Sequence, residues 1–80
     1  MDRKEITDKT LGVFRKIFGN QANITENRSA EEIDKWDSLN HILLIQELEK
    51  AFGIKFDLFE IIDLKDVQGI IEYIFSKKGR

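Results

Sequence analysis

The clearest pattern in this sequence of 80 residues is the stretch WDSLNHILLIQELEKAFG, residues 36–53. Asp37 precedes apolar residues that recur at three- and four-residue steps, and Gly53 follows the last of them. An aspartate at the N-cap and a glycine just past the last turn are common boundaries of an α-helix. The stretch therefore predicts an amphipathic helix of about four turns between Asp37 and Gly53.

This helix has apolar residues on two opposite faces. A wheel at about 100° per residue gathers most of them into one stripe that a core would bury. The stripe contains His41, Leu44, Ile45, Leu48, Ala51 and Phe52. Leu39, Ile42 and Leu43 fall on the side expected to face solvent. A single exposed apolar residue is ordinary, but three adjacent ones indicate a docking surface.

Similar spacing predicts helices on either side of this stretch. The first covers residues 3–18 and ends before Gly19, a short one covers residues 58–63, and the last begins at Val67 with Asp66 as its cap. No strand pattern or internal repeat is present. We predict an all-α bundle of three main helices and one short helix, in a single domain spanning residues 1–80.

A polar stretch of residues 19–36 separates the first two helices and shows no sustained period. It predicts a long loop, held to the core by Ile24 and Ile33. Loops of this length in small domains are usually functional or disordered.

The composition limits the possible classes of function. The sequence has no cysteine, so it can form neither a disulfide nor a thiolate metal site. It has no apolar run of about 18 residues and no apolar stretch behind a basic start, so we expect a cytoplasmic protein without a membrane segment. The acids of residues 31–37 lack the spacing of a calcium loop, so we expect no metal site.

The net charge of −2 is unevenly distributed. Residues 31–63 contain nine acids against three bases, whereas residues 1–30 and 64–80 each carry a charge of +2. An acidic centre argues against nucleic-acid binding, which needs clustered basic residues, and favours a basic protein partner. A simple solvated surface would account for the same charges.

Ser38 is the residue at which we would expect chemistry. It lies in the first turn of a helix that follows a long loop, so its hydroxyl should be reachable. The unpaired N–H groups and the positive dipole end of that turn would also suit an attached phosphate. Taken alone, however, Asp37-Ser38 more often marks only a helix cap.

Several residues around Ser38 add to this motif. Asp37-Ser38-Leu39 is followed by Leu44, Leu48-Glu49, Phe52, Phe56, Val67 and Tyr73-Ile74. With these residues the sequence resembles the acyl carrier proteins from Trp36 to Ile74, and with the preceding helix and loop over nearly its whole length. In that family the serine carries a 4′-phosphopantetheine arm, whose thiol holds an acyl group as a thioester.

The resemblance implies a carrier and not an enzyme, with the arm attached to Ser38. It also implies that Asp37 helps a phosphopantetheinyl transferase and its metal ion to dock. Further partners would be acyl-loading and acyl-transferring enzymes. We expect these partners to read a surface made of Asp37, Leu39, Ile42 and Leu43, and we expect the carrier itself to be a monomer.

Three residues depart from the family pattern. Trp36 stands where the family often has glycine, Leu43 where a recognition glutamate is common, and Asp57 where a proline often follows the second loop. A less acidic and more apolar second helix should prefer different partners. The departures favour a specialised carrier of fatty-acid, polyketide or other dedicated biosynthesis, or of a ligase system, over the housekeeping fatty-acid carrier.

Two alternatives from other classes use the same residues. Ser38 and His41 are three residues apart on one helix, so they could be the nucleophile and the base of a small hydrolase. However, no third orienting group is recognisable, and a histidine on an apolar face is usually a packed core residue. The second alternative is an unmodified helical interaction module that binds through Leu39, Ile42 and Leu43. Such a module would function unchanged after Ser38→Ala.

Overall fold

The structure is a computed structural model that describes residues 2–19, 24–25, 33 and 36–78. These residues form four helices and no strand. The helices are α1 (Arg3–Phe18), α2 (Ser38–Phe52), α3 (Leu58–Ile61) and α4 (Val67–Lys78). The predicted all-α bundle of three main helices and one short helix is confirmed.

The two longest helices begin and end where the sequence predicts. Asp2 and Asp37 are the N-caps of α1 and α2, and the Asp37 carboxylate accepts a hydrogen bond from the Asn40 backbone N–H at 2.9 Å. Gly19 ends α1 with φ of +91°, and Gly53 ends α2 with φ of +65°. Glycine adopts these positive φ values without the steric cost that a side chain would add.

The third helix is shorter than the predicted residues 58–63. It ends at Ile61 because residues 62 and 63 form a turn, in which the Leu64 backbone N–H donates to the Ile61 carbonyl at 3.0 Å. The last helix begins as predicted, since the Asp66 carboxylate accepts a hydrogen bond from the Gly69 backbone N–H. Asp66 thus satisfies an N–H of the first turn that has no partner within the helix.

The core is formed where α1 packs against α2 and α4. The predicted stripe of α2 faces this core: His41 and four of its five apolar residues are buried, and Ala51 is half-buried. The buried apolar residues are Ile6, Phe14, Ile24, Ile33, Trp36, Leu44, Ile45, Leu48, Phe52, Phe56, Ile61, Val67, Ile70, Ile71 and Ile74. Burial of these side chains is the main favourable term in the stability of so small a domain.

Ion pairs join the main helices on their outer sides. The Arg3 guanidinium of α1 contacts the Glu72 carboxylate of α4, and the Lys16 ammonium of α1 lies 2.7 Å from the Glu47 carboxylate of α2. The hydrogen bond and the charge of Lys16 lower the pKa of the Glu47 carboxyl. Pairs of this kind at the surface contribute little each, so they supplement the core and do not replace it.

Both predicted anchors of the loop, Ile24 and Ile33, are buried. Most of the remaining loop, residues 20–23, 26–32 and 34–35, lies outside the described residues, and so do most of the acids considered for a metal site. Within the described part of the chain, no helix is long and apolar enough to cross a membrane.

Candidate functional site

Ser38 is the first residue of α2, and it is exposed. The backbone around it is held by the preceding residue, because the Asp37 carboxylate accepts from the Asn40 N–H and the Asp37 carbonyl accepts from the His41 N–H, both at 2.9 Å. Asp37 is itself exposed. The helix start therefore presents a hydroxyl to solvent on a fixed backbone.

A groove of about 520 Å³ lies beside Ser38, with residues of α2 on one wall and of α3 on the other. Its lining is Ser38, His41, Ile42, Ile45, Gln46, Glu49, Phe56, Leu58, Ile61, Ile62 and Lys65. The Glu49 carboxylate accepts a hydrogen bond from the Phe56 backbone N–H at 2.9 Å and so fixes the chain between the two helices. The groove has the size of sites that hold small organic groups, and its largely apolar lining suits a hydrocarbon chain.

His41 is buried at the side of this groove and uses both ring nitrogens in hydrogen bonds. Its Nδ1 accepts from the Trp36 indole N–H at 2.9 Å, and its Nε2 lies 2.9 Å from the Ile61 carbonyl oxygen. The indole can only donate and the carbonyl can only accept, so Nδ1 is bare and Nε2 carries the hydrogen. This arrangement fixes one neutral tautomer.

The bonding of His41 argues against the hydrolase alternative. Both ring nitrogens are engaged by Trp36 and Ile61, so neither is available to the Ser38 hydroxyl. A general base must reach the proton that it abstracts. His41 is therefore a core residue, as the sequence predicted, with two specific partners that the sequence did not reveal.

Trp36 occupies the junction between α1 and the start of α2. Its ring packs edge-on against Phe14 at 5.2 Å between centroids, lies 5.9 Å from Phe18, and stacks on His41 at 5.9 Å. Such aromatic pairs add to the stability gained from burial. The tryptophan that departs from the family pattern is thus a packed residue that joins the loop to two helices.

The outward apolar residues of α2 have the exposure that the wheel predicts. Leu39, Ile42 and Leu43 are 67%, 51% and 44% exposed. Sequence analysis missed a second set on α3 and the turn after it, consisting of Leu58, Phe59 and Ile62, of which Phe59 is 93% exposed. Since Ile42, Leu58 and Ile62 all line the groove, the two sets meet beside Ser38. The role of this surface in binding partners stays a prediction.

Two curated proteins named acyl carrier protein are similar to this chain over nearly its full length. The one from Rubrobacter xylanophilus is 32% identical over 75 residues, which cover 92% of this chain and 93% of that protein. The one from Thermotoga maritima is 28% identical over 78 residues, which cover 96% of each. The chain belongs to the acyl carrier protein family. No family model matches the sequence.

Membership of the acyl carrier protein family establishes the general role of the chain. It is a carrier and not an enzyme, and it works with partner enzymes of biosynthesis. Family members generally carry phosphopantetheine. The exposed serine and the apolar groove next to it are consistent with this role.

Proposed function

We propose that this acyl carrier protein holds its cargo through a 4′-phosphopantetheine arm on Ser38. The observation that carries the proposal is the exposed hydroxyl of Ser38 at the first residue of α2, beside a largely apolar groove. The first turn of a helix has backbone N–H groups without intrahelical partners and a positive dipole end. A phosphodiester at Ser38 would be stabilised by both, so the residues present fit the arm.

When bound, the arm supplies a terminal thiol that holds an acyl group as a thioester. The sequence has no cysteine of its own to take this part. In the modification, the Ser38 hydroxyl oxygen bonds to the phosphorus of coenzyme A nearer the pantetheine, adenosine 3′,5′-bisphosphate leaves, and the hydroxyl proton passes to a base of the transferase. Asp37 is adjacent and exposed, and it is our candidate for the residue that helps the transferase and its metal ion to dock.

The groove between α2 and α3 supports a sheltering role for the carrier. Ile42 and Ile45 on one side face Leu58 and Ile61 on the other, and apolar side chains favour a hydrocarbon chain over water. Ser38 lies at the same groove, so a chain tethered there has a short path into it. We infer that the cargo is an acyl or related group with an apolar portion.

The partner surface that we propose consists of Asp37, Leu39, Ile42 and Leu43. All four are exposed, and three of them are apolar. Since a glutamate is common in the family at the position of Leu43, partners of this carrier should rely less on charge and more on apolar contact. This difference supports a specialised carrier of a dedicated biosynthetic or ligase system.

Incubation with coenzyme A and a broad-specificity phosphopantetheinyl transferase tests the attachment site. We expect one phosphopantetheine on the wild-type protein and none on Ser38→Ala, as measured by intact mass. Ser76 on α4 is an internal control, because its hydroxyl donates to the Tyr73 carbonyl at 2.7 Å. Addition elsewhere than Ser38, or none with several transferases, would refute the proposal. If Ser38 is modified as expected, the intact mass of protein isolated from its native host would identify the cargo.

A further inference from the structure

The shortest helix of the bundle forms one wall of the groove, and it cannot stand alone. α3 has four residues, of which only Ile61 is buried, and an isolated helix of that length is unstable in water. Its position therefore depends on its contacts with the rest of the chain. On its outer side, the Asp57 carboxylate caps the Phe59 N–H and the Tyr73 hydroxyl donates to Glu60, both at 2.9 Å.

On its groove side, α3 is held by His41. The Nε2–H of this ring donates to the carbonyl of Ile61, the last residue of α3, at 2.9 Å. The same ring accepts from Trp36, two residues before Ser38. One buried side chain thus connects three parts of the site: the segment that leads to Ser38, the helix that begins there, and the opposite wall of the groove.

We propose that His41 is a positioning residue of the carrier. Its hydrogen bond to Ile61 fixes the position of α3 and thereby keeps the groove in the shape that shelters the cargo. Ile61 and Ile62 line the groove, so loss of the hydrogen bond from His41 to the Ile61 carbonyl lets that wall move away from α2. The tethered thioester then becomes more accessible to water and to other nucleophiles. This inference rests on the proposed function in one respect, since the sheltered cargo is bound through Ser38.

Two substitutions separate the two nitrogens of the ring. In His41→Asn, the side-chain oxygen takes the place of Nδ1 and can still accept from Trp36, but the shorter side chain no longer reaches the Ile61 carbonyl. In His41→Gln, the amide nitrogen takes the place of Nε2 and can still donate to Ile61, while the Trp36 indole loses its partner. Each variant loses one buried hydrogen bond, and His41→Gln should be the less stable of the two, because its indole N–H has lost its partner whereas the Ile61 carbonyl in His41→Asn still accepts from the Leu64 N–H. A general loss of stability would therefore act in the opposite direction to the effect expected at the groove.

The first measurement uses protein loaded from octanoyl-coenzyme A by a broad-specificity transferase. Hydroxylamine attacks the thioester carbonyl, the carbon–sulfur bond breaks, and a hydroxamate and the free thiol of the arm form. We expect His41→Asn to raise the cleavage rate about fivefold, the factor that corresponds to one net hydrogen bond, and His41→Gln to stay near the wild type. Acetyl-loaded protein, whose cargo is too short to fill the groove, should cleave at similar rates in all three.

The second measurement needs no arm. Amide hydrogen exchange in the unmodified protein reports how often α3 opens, because the Ile61 and Ile62 N–H groups donate within this segment, to Asp57 and Leu58. Exchange at both amides should be about fivefold faster in His41→Asn than in His41→Gln, whereas amides in the middle of α4 should not distinguish the variants.

The outcomes separate this inference from the proposed function. If Ser38 accepts no arm, the proposed function fails, and amide exchange still tests His41. If Ser38 is modified but the two variants show equal cleavage and equal exchange, His41 does not position α3 and the inference is overturned. Equal cleavage of octanoyl and acetyl cargo in the wild type would overturn it as well, because the groove would then shelter nothing.

Discussion

The two sides of this bundle differ in the polarity of the side chains that they expose. On α1 and α4, the described residues that are exposed are charged, polar or glycine, and ion pairs such as Arg3–Glu72 tie these helices together. On α2, α3 and the turn after it, six large apolar side chains are exposed. They are Leu39, Ile42, Leu43, Leu58, Phe59 and Ile62. All of them lie on α2, on α3 or in the turn after it, the segments that contribute most of the groove lining beside Ser38.

The difference shows how a small chain can divide two tasks between its faces. The side formed by α1 and α4 closes the core and meets solvent with polar groups. The side formed by α2 and α3 exposes apolar side chains around the proposed attachment site. Exposed apolar clusters of this kind mark sites of contact in soluble proteins.

The largest expected effect comes from comparing two leucines on α2. Leu48 is fully buried and Leu43 is 44% exposed. Leu48→Ala should lower the free energy of unfolding by about 2 to 5 kcal/mol, whereas Leu43→Ala should lower it by no more than about 0.5 kcal/mol. Thermal or urea unfolding measures both. A large loss of unfolding free energy in Leu43→Ala would show that this side chain is in the core and would contradict the assignment of an exposed face.

A second test removes the buried ring that connects Trp36 and α2 to α3. His41→Leu keeps a side chain of similar size, but it leaves the Trp36 indole N–H without its partner and removes one of the two hydrogen bonds of the Ile61 carbonyl, which still accepts from the Leu64 N–H. The unsatisfied indole N–H should cost about 1 to 3 kcal/mol, and the lost bond to Ile61 should cost about 1 kcal/mol more. We expect a clear loss of stability in urea unfolding, while the transferase still modifies Ser38. Loss of modification in the folded variant would show that His41 acts in the modification itself.

The apolar surface can be tested without disturbing the fold. Phe59 is almost fully exposed, so Phe59→Ser should change stability by no more than about 0.5 kcal/mol. If this surface anchors partners, Phe59→Ser or Leu43→Ala should weaken a complex by about 1 to 3 kcal/mol. The KM of a phosphopantetheinyl transferase for each variant is a direct readout. Asp8→Asn on α1 is a suitable control, because this exposed acid lies away from the groove lining.

The smallest effect concerns the ion pair between α1 and α2. Lys16 lowers the pKa of Glu47 in the folded protein, so the pair stabilises the fold above the pKa of an unfolded glutamate. That contribution is lost as the pH falls through the lower folded value. In Lys16→Met, the pKa of Glu47 should rise towards its ordinary value, as measured by NMR titration. An unchanged pKa would show that the pair is not formed in solution.

The sequence was sufficient to predict the bounds of α1 and α2, because their ends are determined by local chemistry. Asp37 caps α2, and Gly19 and Gly53 end α1 and α2 at positive φ. The division of α2 into a buried and an exposed face also follows from the helical repeat alone.

Two features could not be predicted because they depend on tertiary placement. The bond between His41 and Ile61 joins residues 20 positions apart, and no local pattern marks it. A helix of four residues has no periodicity from which to read a buried face, so the exposure of Phe59 was missed. The sequence did contain one signal for the hydrogen bonding around His41. Trp36 departs from the family pattern, and the indole N–H of a buried tryptophan needs a partner.

The burial of Trp36 also has an optical consequence. The sequence has one tryptophan, and its indole lies against Phe14 and Phe18 and is hydrogen-bonded to His41. Indole emission shifts in colour and intensity with the polarity of its surroundings. The tryptophan fluorescence of the protein therefore comes entirely from the point where α1 meets the start of α2. A dye-free spectrum can follow that point in real time while an acyl group is attached or removed.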